Sequence, residues 1–403
     1  MAERIVVTSL GILSALGNGI AANLQALQQQ RPGLRYPQLL QTIHAGEFLL
    51  GEVPYSNDEL SAMLGLPTGN NGYTRTTLLA MVAMQEVLKG IDKKELQDEG
   101  FAFINANTVG GMCSVEDMYE DFLSDNTAEN ALKYIDTLDC AESTQNVTKH
   151  FGLKPFTATI STACSSSGNA IILGARLIQH GIIKRAICGG CDALSRFTLN
   201  GFHSLKNVDK QPARPFDNTR FGLNLGEGAG YVLLETEKSA KERGAEIIAV
   251  LSGYANTNDA YHPTAPNPNG DGAYNTMQLA LQKAQLQTTD INYINAHGTA
   301  TTANDAAEGK AIERLFNGHT PHFSSTKPYT GHTLAAAGVI EAIFSIGALQ
   351  QQMIWPSLNH TTQMEEVSIT PTTQLIEDAG INHVLSNSFG FGGNNVSLIF
   401  SRA

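Results

Sequence analysis

The chain has 403 residues, 42% of them hydrophobic and 16% charged, with 38 glycines and a formal net charge of −12. That length exceeds one ordinary core and predicts two domains or one unusually large one, and the composition describes a compact, turn-rich globular protein. The negative balance excludes general affinity for nucleic acid or anionic membrane, leaving room only for a local basic patch.

In chain order, residues 4–10 (RIVVTSL) read as a strand, and the glycines after it lead into a helix at about 19–29. Residues 31–72 carry Pro, Gly and Asn without a steady period and read as an excursion from the core. Helical spacing returns at Leu78, Leu79, Val82, Ala83, Val87 and Leu88. FAFINAN (101–107) is a second strand ending in a polar, Gly-rich loop, and 113–150 reads as helix and loop, an insertion covering a site or a subunit boundary. Phe156, Thr157, Thr159 and Ile160 then predict a buried strand. It turns at Ala163-Cys164 into a helix with Ala170, Leu173, Leu177 and Ile178 at helical spacing and Gly181 as its stop. RAICGGCDAL (185–194) and GYVLLE (230–235) are further strands, and EKSAKERGA (237–245) is a polar helix bridging over the surface.

After that bridge the order of elements starts again. EIIAVLSGYA (246–255) resembles the first strand, a helix follows near 272–285, and INYINAHGT (291–299) resembles FAFINANT. Residues 321–349 repeat the strand, sharp polar turn and apolar helix seen at Cys164, and 382–400 reads as two strands joined by a Gly-rich turn. The recurrence predicts two βα halves, 1–245 and 246–403, packed with equivalent turns facing one shared site. Strands alternating with helices predict an α/β protein with largely parallel sheets covered on both faces.

Five cysteines, at 113, 140, 164, 188 and 191, are an odd number without framework spacing and point to a reducing compartment. The N-terminal residues lack a basic segment followed by a long apolar one, and no apolar run is read as reaching the ~18 residues of a membrane helix. The cytoplasm is the expected location.

Three polar turns at strand ends carry the candidate chemistry: Cys164, His297 in AHGT and His332 in TGHT. At a helix N-terminus, unpaired N–H groups and the helix dipole favour a thiolate, which makes Cys164 a candidate nucleophile. From its own stretch alone, a small inert buried cysteine is an equal reading. A thiolate both attacks thioesters and leaves from them, and two neutral imidazoles can donate N–H bonds to one thioester oxygen as an enolate forms. The expected chemistry is therefore acyl transfer to Cys164 followed by attack of a carbon nucleophile. Lys327, five residues before His332, can hold a carboxylate or tune the charge of the site; a solvated turn lysine is the plainer reading. The glycines of FGFGG (389–393) let backbone N–H groups approach a substrate oxygen, though a tight hairpin uses such glycines too.

TACSSS (162–167), AHGTAT (296–301), STKPYTGH (325–332) and NSFGFGGNN (387–395) resemble, in order, the four signatures of the β-ketoacyl-[acyl carrier protein] synthases of types I and II. RPFD (214–217) and GEGAG (226–230) extend the resemblance over essentially the whole chain. It implies a thiolase fold, two pseudo-repeated halves in α-β-α-β-α layers, and a decarboxylative Claisen condensation. It implies that Cys164 takes an acyl chain from its carrier protein, and that His297 and His332 promote loss of CO2 from malonyl carrier protein. The N–H groups of Cys164 and Phe391 match the family's oxyanion hole, Lys327 and Glu308 its supporting pair near His332, and Phe391 its gating aromatic. Thr299 and Thr301 match hydroxyls that hold the pantetheine arm. Val109 and Phe202 align with the acyl pocket, and Gly392, Gly393 and Asn394 with the substrate-facing turn. The resemblance implies no metal and no cofactor beyond the phosphopantetheine of the carrier. It implies an acyl carrier protein as partner and a dimer, either of this chain or with a second ketosynthase-like subunit.

The family's RDGF is here RFGL (220–223), placing Phe221 where an aspartate is usual, and Asn394 replaces a threonine. GYTRTTLLA (72–80) has a single Arg75 where many members carry several basic residues for the acidic carrier. These departures leave the catalytic set complete and point to a specialised branch, polyketide or polyene synthesis, over housekeeping fatty-acid elongation. Two rivals follow from the same fold. A chain-length-factor-type partner subunit generally lacks the nucleophile, and a thiolase acting on coenzyme A esters needs a second cysteine near 387–395, where there is none. Type III synthases have Asn in place of the second His. Cys188-x-x-Cys191 reads as two small buried residues at a strand end, since no second pair or His completes a zinc site. No nucleotide-binding GxGxxG or GxxxxGK[ST] and no HExxH occurs in the proper context.

Overall fold

The computed structural model describes residues 3–69, 71–96, 100–124 and 136–403. In the first half, β1 (Ile5–Ser14) passes through the short β2 (Gly17–Asn18) into α1 (Ile20–Gln28), α2 (Asn57–Met63) and α3 (Arg75–Val87). Next come β3 (Phe101–Ala106), α4 (Met112–Ser124), α5 (Ala141–Phe151), β4 (Phe156–Ile160) and α6 (Ser166–Gln179). β5 (Arg185–Asp192), α7 (Arg196–Ser204) and β6 (Gly228–Thr236) complete the half, and α8 (Glu237–Glu242) leads out of it. The second half contains β7 (Ala249–Asn258), α9 (Asp271–Ala284), β8 (Tyr293–Asn295), α10 (Thr302–Phe316), β9 (His322–Ser324) and α11 (Lys327–Thr330). It ends with α12 (Ala337–Gln351), β10 (His383–Gly390) and β11 (Asn394–Ser401). Of the insertion expected over 113–150, residues 125–135 lie outside the described residues.

The strands run β4-β3-β5-β6-β1, then β7-β11-β10-β8-β9. Setting aside β2 and counting inward from either outer edge, each half follows the order third, second, fourth, fifth, first. The halves meet first strand to first strand, through three antiparallel pairs: Ile5 with Leu251, Val6 with Val250, Val7 with Ala249. Strand direction repeats as well. β3 is parallel to β4 and β5, and β8 is parallel to β9 and β10. The inner ladders β5·β6, β6·β1, β10·β11 and β11·β7 are antiparallel. The expectation of largely parallel sheets is thus corrected to a mixed sheet. Consecutive strands joined without a crossover helix, as β10 and β11 are, must run antiparallel.

Helices fill three layers. α3 covers β1, β5 and β6 on one outside, and α9, backed by α10, covers β7 and β11 on the other. α6 and α12 lie between, touching each other and strands of both halves. Helix α12, AGVIEAIFSIGALQQ, is apolar on every side and buried from Ala337 to Leu349. The window Leu334–Gln351 is, against expectation, long and apolar enough to cross a membrane, yet 89% of it is buried inside the protein as the central helix. β4 corrects another expectation: it is one of the two edge strands, and Phe156 is 55% exposed. β-branched alternation reports strand propensity and not whether a neighbour covers the edge.

Candidate active site

Cys164 occupies the corner between β4 and α6, where Ala163 adopts a left-handed conformation (φ 52°). A non-glycine residue there is strained, and the serines that follow hold the corner closed. Ser165 Oγ donates to the Thr162 carbonyl (2.8 Å), and Ser166 Oγ donates to the Ala163 carbonyl (2.6 Å) while accepting the Thr162 N–H (2.8 Å). One helical position later, Ser167 Oγ accepts the Val339 N–H of α12 (2.9 Å) and ties the two central helices together. Cys164 ends up buried. Burial pushes its thiol up to about 11, with the Lys327 charge and the Phe391 N–H acting in the opposite direction. The expectation of a resting thiolate is therefore corrected: removal from water outweighs the helix start.

His297 follows β8. Its backbone N–H and that of Gly298 both donate to the Glu308 carboxylate on α10, each at 2.8 Å. Gly298 has φ +38°, and a Cβ there would lie 2.6 Å from Ser325 Cβ, so the close return of the chain requires glycine. His332 follows α11; its N–H donates to the Asn224 carbonyl (2.7 Å), and its own carbonyl accepts the Gly226 N–H (2.9 Å). The two imidazoles meet edge to face with centroids 5.5 Å apart. Burial and the nearby Lys327 charge hold both well below the ordinary imidazole value, so both are neutral at pH 7. Neighbouring donors assign their tautomers. His332 Nδ1 accepts the Leu334 N–H (3.1 Å), and His297 Nδ1 faces the Lys327 ammonium (3.2 Å). In each ring Nε2 is left carrying the proton as a donor.

Lys327 is fully withdrawn from solvent, which rules out the plain reading of a solvated turn lysine. Its ammonium donates to the His297 carbonyl and forms an ion pair with Glu341 on α12. Lys327 and Glu308, expected as a supporting pair near His332, both bear on His297, from its carbonyl and its N–H respectively. Glu308 braces the His297 backbone and accepts from Asn387 Nδ2 (3.1 Å), while Glu341 is the counter-charge. Burial raises Glu341 to about 7 against the pull of Lys327. Glu341 was not singled out from the sequence, yet a lone carboxylate inside an otherwise apolar helix is the signal that would have found it.

Two cavities meet at Cys164. One, of about 80 Å³, is lined by Cys164, His297, His332, Thr299, Thr301 and Phe391 among others. Thr299 and Thr301 are bonded hydroxyl to hydroxyl at 2.8 Å. The second, of about 470 Å³ and mostly apolar, is lined by Val109, Met112, Phe197, Leu205 and Leu334, with Cys164, Phe202 and Phe391 common to both. Phe391 stacks on Phe202 with centroids 5.6 Å apart at 22°, standing between the two spaces. The Gly-rich turn reaches Cys164 because Gly390 has no side chain: a Cβ there would lie 2.9 Å from the Thr162 carbonyl and 3.1 Å from Cys164 N. The Phe391 N–H is consequently carried toward the Cys164 sulfur, where it opposes the effect of burial on the thiol. Gly393 lines the smaller cavity, whereas Gly392 and Asn394 shape the turn without lining it. Asn207, Asp259 and Asn304 line it too and were not foreseen.

The other two departures are placed as follows. Phe221 is 58% exposed. Arg75 is half-buried against Glu227, with Nε at 2.9 Å from Oε2, and also bonds Asn57 Oδ1 (3.0 Å). Cys188 and Cys191 are buried within β5 and free.

Residues 2–240 match the description "Beta-ketoacyl synthase, N-terminal domain" and residues 248–361 the description "Beta-ketoacyl synthase, C-terminal domain". The chain is 32% identical over 411 residues to a 3-oxoacyl-[acyl-carrier-protein] synthase 2 of Staphylococcus aureus (strain COL), covering 99% of this chain and 98% of that protein. It is 34% identical over 419 residues to the Synechocystis sp. protein of the same name, with the same coverage. Among solved structures it is similar to the ishigamide ketosynthase/chain length factor (TM-score 0.93, 28% identity, both chains fully covered). It is also similar to the ketosynthase ApeO in complex with its chain length factor ApeC from Xenorhabdus doucetiae (TM-score 0.86, 30% identity, 100% of this chain and 98% of that one).

Proposed function

The chain belongs to the β-ketoacyl synthase family, and on that premise we propose that it condenses an acyl group held on Cys164 with a malonyl thioester, both delivered by an acyl carrier protein. The observation carrying this reading is the convergence of Cys164, His297 and His332 on one cavity, with both imidazoles neutral and Nε2–H free to donate.

In the first step the Cys164 sulfur attacks the acyl thioester carbon. The C–S bond to the carrier breaks, and the thiol proton ends on the departing carrier thiol. The acyl chain enters the apolar cavity past Phe391, between Val109 and Phe202. In the second step the malonyl thioester lies in the smaller cavity with its carbonyl oxygen between the two Nε2–H groups. Loss of CO2 leaves the electron pair as an enolate on that oxygen, and the two N–H bonds strengthen as the charge develops. The enolate carbon attacks the acyl carbonyl, whose oxygen is held by the N–H groups of Cys164 and Phe391. Collapse releases the β-ketoacyl carrier and the Cys164 thiolate, which takes one proton from water. A thiol held near 11 at rest suits this cycle, because the sulfur stays protonated until a thioester is in place.

The carrier, a cytoplasmic location, the absence of a metal or further cofactor, and a dimer with itself or with a second ketosynthase-like chain belong to the same proposal. Five cysteines, an odd number without framework spacing, support the reducing compartment. The chain-length-factor-type reading is disfavoured by Cys164 itself, seated at the junction of both cavities. The thiolase reading is disfavoured because residues 387–395 hold no second cysteine. The test is Cys164→Gln, assayed with acyl and malonyl carrier proteins. Extension should cease while malonyl decarboxylation persists or increases. Extension at the wild-type rate would overturn the assignment.

A further inference from the structure

Asp192, the last residue of β5, is fully buried, and none of the ion pairs among the described residues involves it. Four donors converge on its carboxylate instead. The N–H groups of Thr108 and Val109 reach Oδ1 at 2.9 and 3.0 Å, Thr108 Oγ1 donates to Oδ2 at 2.6 Å, and the Ala335 N–H donates to Oδ2 at 2.9 Å. Burying a carboxylate without a cation is costly, and backbone donors offset that only while their geometry holds. The donors come from different places. Thr108 and Val109 belong to the first half and line the apolar cavity. Ala335 belongs to the second half, and its neighbour Leu334 both lines that cavity and donates its N–H to His332 Nδ1.

We propose that Asp192 is a positioning residue that fixes, with one carboxylate, the wall of the acyl cavity and the turn presenting His332. The proposal rests on the condensing function above. The wall is held through both oxygens, by the Thr108 and Val109 N–H groups at Oδ1 and the Thr108 hydroxyl at Oδ2, while the turn presenting His332 is held through Oδ2 alone. No side chain in this brace touches the reacting atoms, so its effect falls on geometry.

The test is Asp192→Asn, nearly isosteric. Its single amide oxygen can keep Thr108 and Val109, which leaves an NH2 facing the Ala335 N–H, donor against donor. Malonyl decarboxylation should fall at least tenfold while acylation of Cys164, followed by mass, stays within threefold of wild type. Equal losses in both half-reactions, or loss in neither, overturn the proposal. Thr108→Val supplies a second arm that holds if Asp192→Asn does not fold. It removes only the hydroxyl bond, and it should broaden the distribution of product chain lengths. An unchanged distribution overturns the link to the cavity wall. A wild type that performs neither half-reaction would instead overturn the function itself, so the two failures are distinguishable.

Discussion

Cys164 combines a reactive position with an unreactive resting state. Its location at a helix start is readable from sequence, because strand and helix periods change at TACSSS. Its environment is not readable, because the thiol is pushed up to about 11 by burial among groups as distant in the chain as Lys327 and Phe391. The sign of the consequence is definite: below that value the thiol is protonated, and the reactive fraction grows tenfold per pH unit. Alkylation of the resting protein by iodoacetamide should therefore accelerate steadily from pH 7 to 10. A rate that levels off by pH 8 would show the thiolate already formed. The same limit of sequence reading explains Glu341. The motifs marked Lys327 and Glu308 as neighbours in function, and only packing of α12 against α11 reveals that Lys327 takes its counter-charge from Glu341.

At the level of elements, the four turns were legible because each marks a sharp change of residue type, although His332 follows the short helix α11 and not a strand end. Strand direction was not legible. Apolar runs of β-branched residues are the same in parallel and antiparallel ladders, and the connection between strands decides between them. The turn joining β10 to β11 is where this matters for chemistry, since it carries the Phe391 N–H to Cys164. Gly390→Ala would set a methyl group against the Thr162 carbonyl and the Cys164 amide and force the turn back by a few tenths of an ångström or more. Loss of one oxyanion donor typically lowers turnover by about 100-fold or more. We expect a fall of that order in condensation, with the thermal unfolding midpoint changed little. Condensation within threefold of wild type would remove Phe391 from the oxyanion hole.

At the level of the whole molecule, self-similarity was visible in the sequence as a recurring order of elements, and the structure sharpens it into two identical strand orders meeting at β1 and β7. What sequence left hidden is that β4 stands at an outer edge, with Phe156 exposed and no strand among the described residues on its outer side. Such an edge invites another strand. We expect the protein to sediment as a dimer at micromolar concentration and Phe156→Lys to sediment as a monomer. A variant that stays dimeric would move the interface elsewhere, and a monomeric wild type would remove the homodimer. Three backbone pairs join the sheets of the two halves, the central helices α6 and α12 pack across the same boundary, and the reaction centre straddles it, the sulfur contributed from one side and the two imidazoles from the other. Neither portion of the chain therefore owns a workable piece of the reaction. Damage that loosens their union should silence the enzyme abruptly, long before either portion loses its own shape.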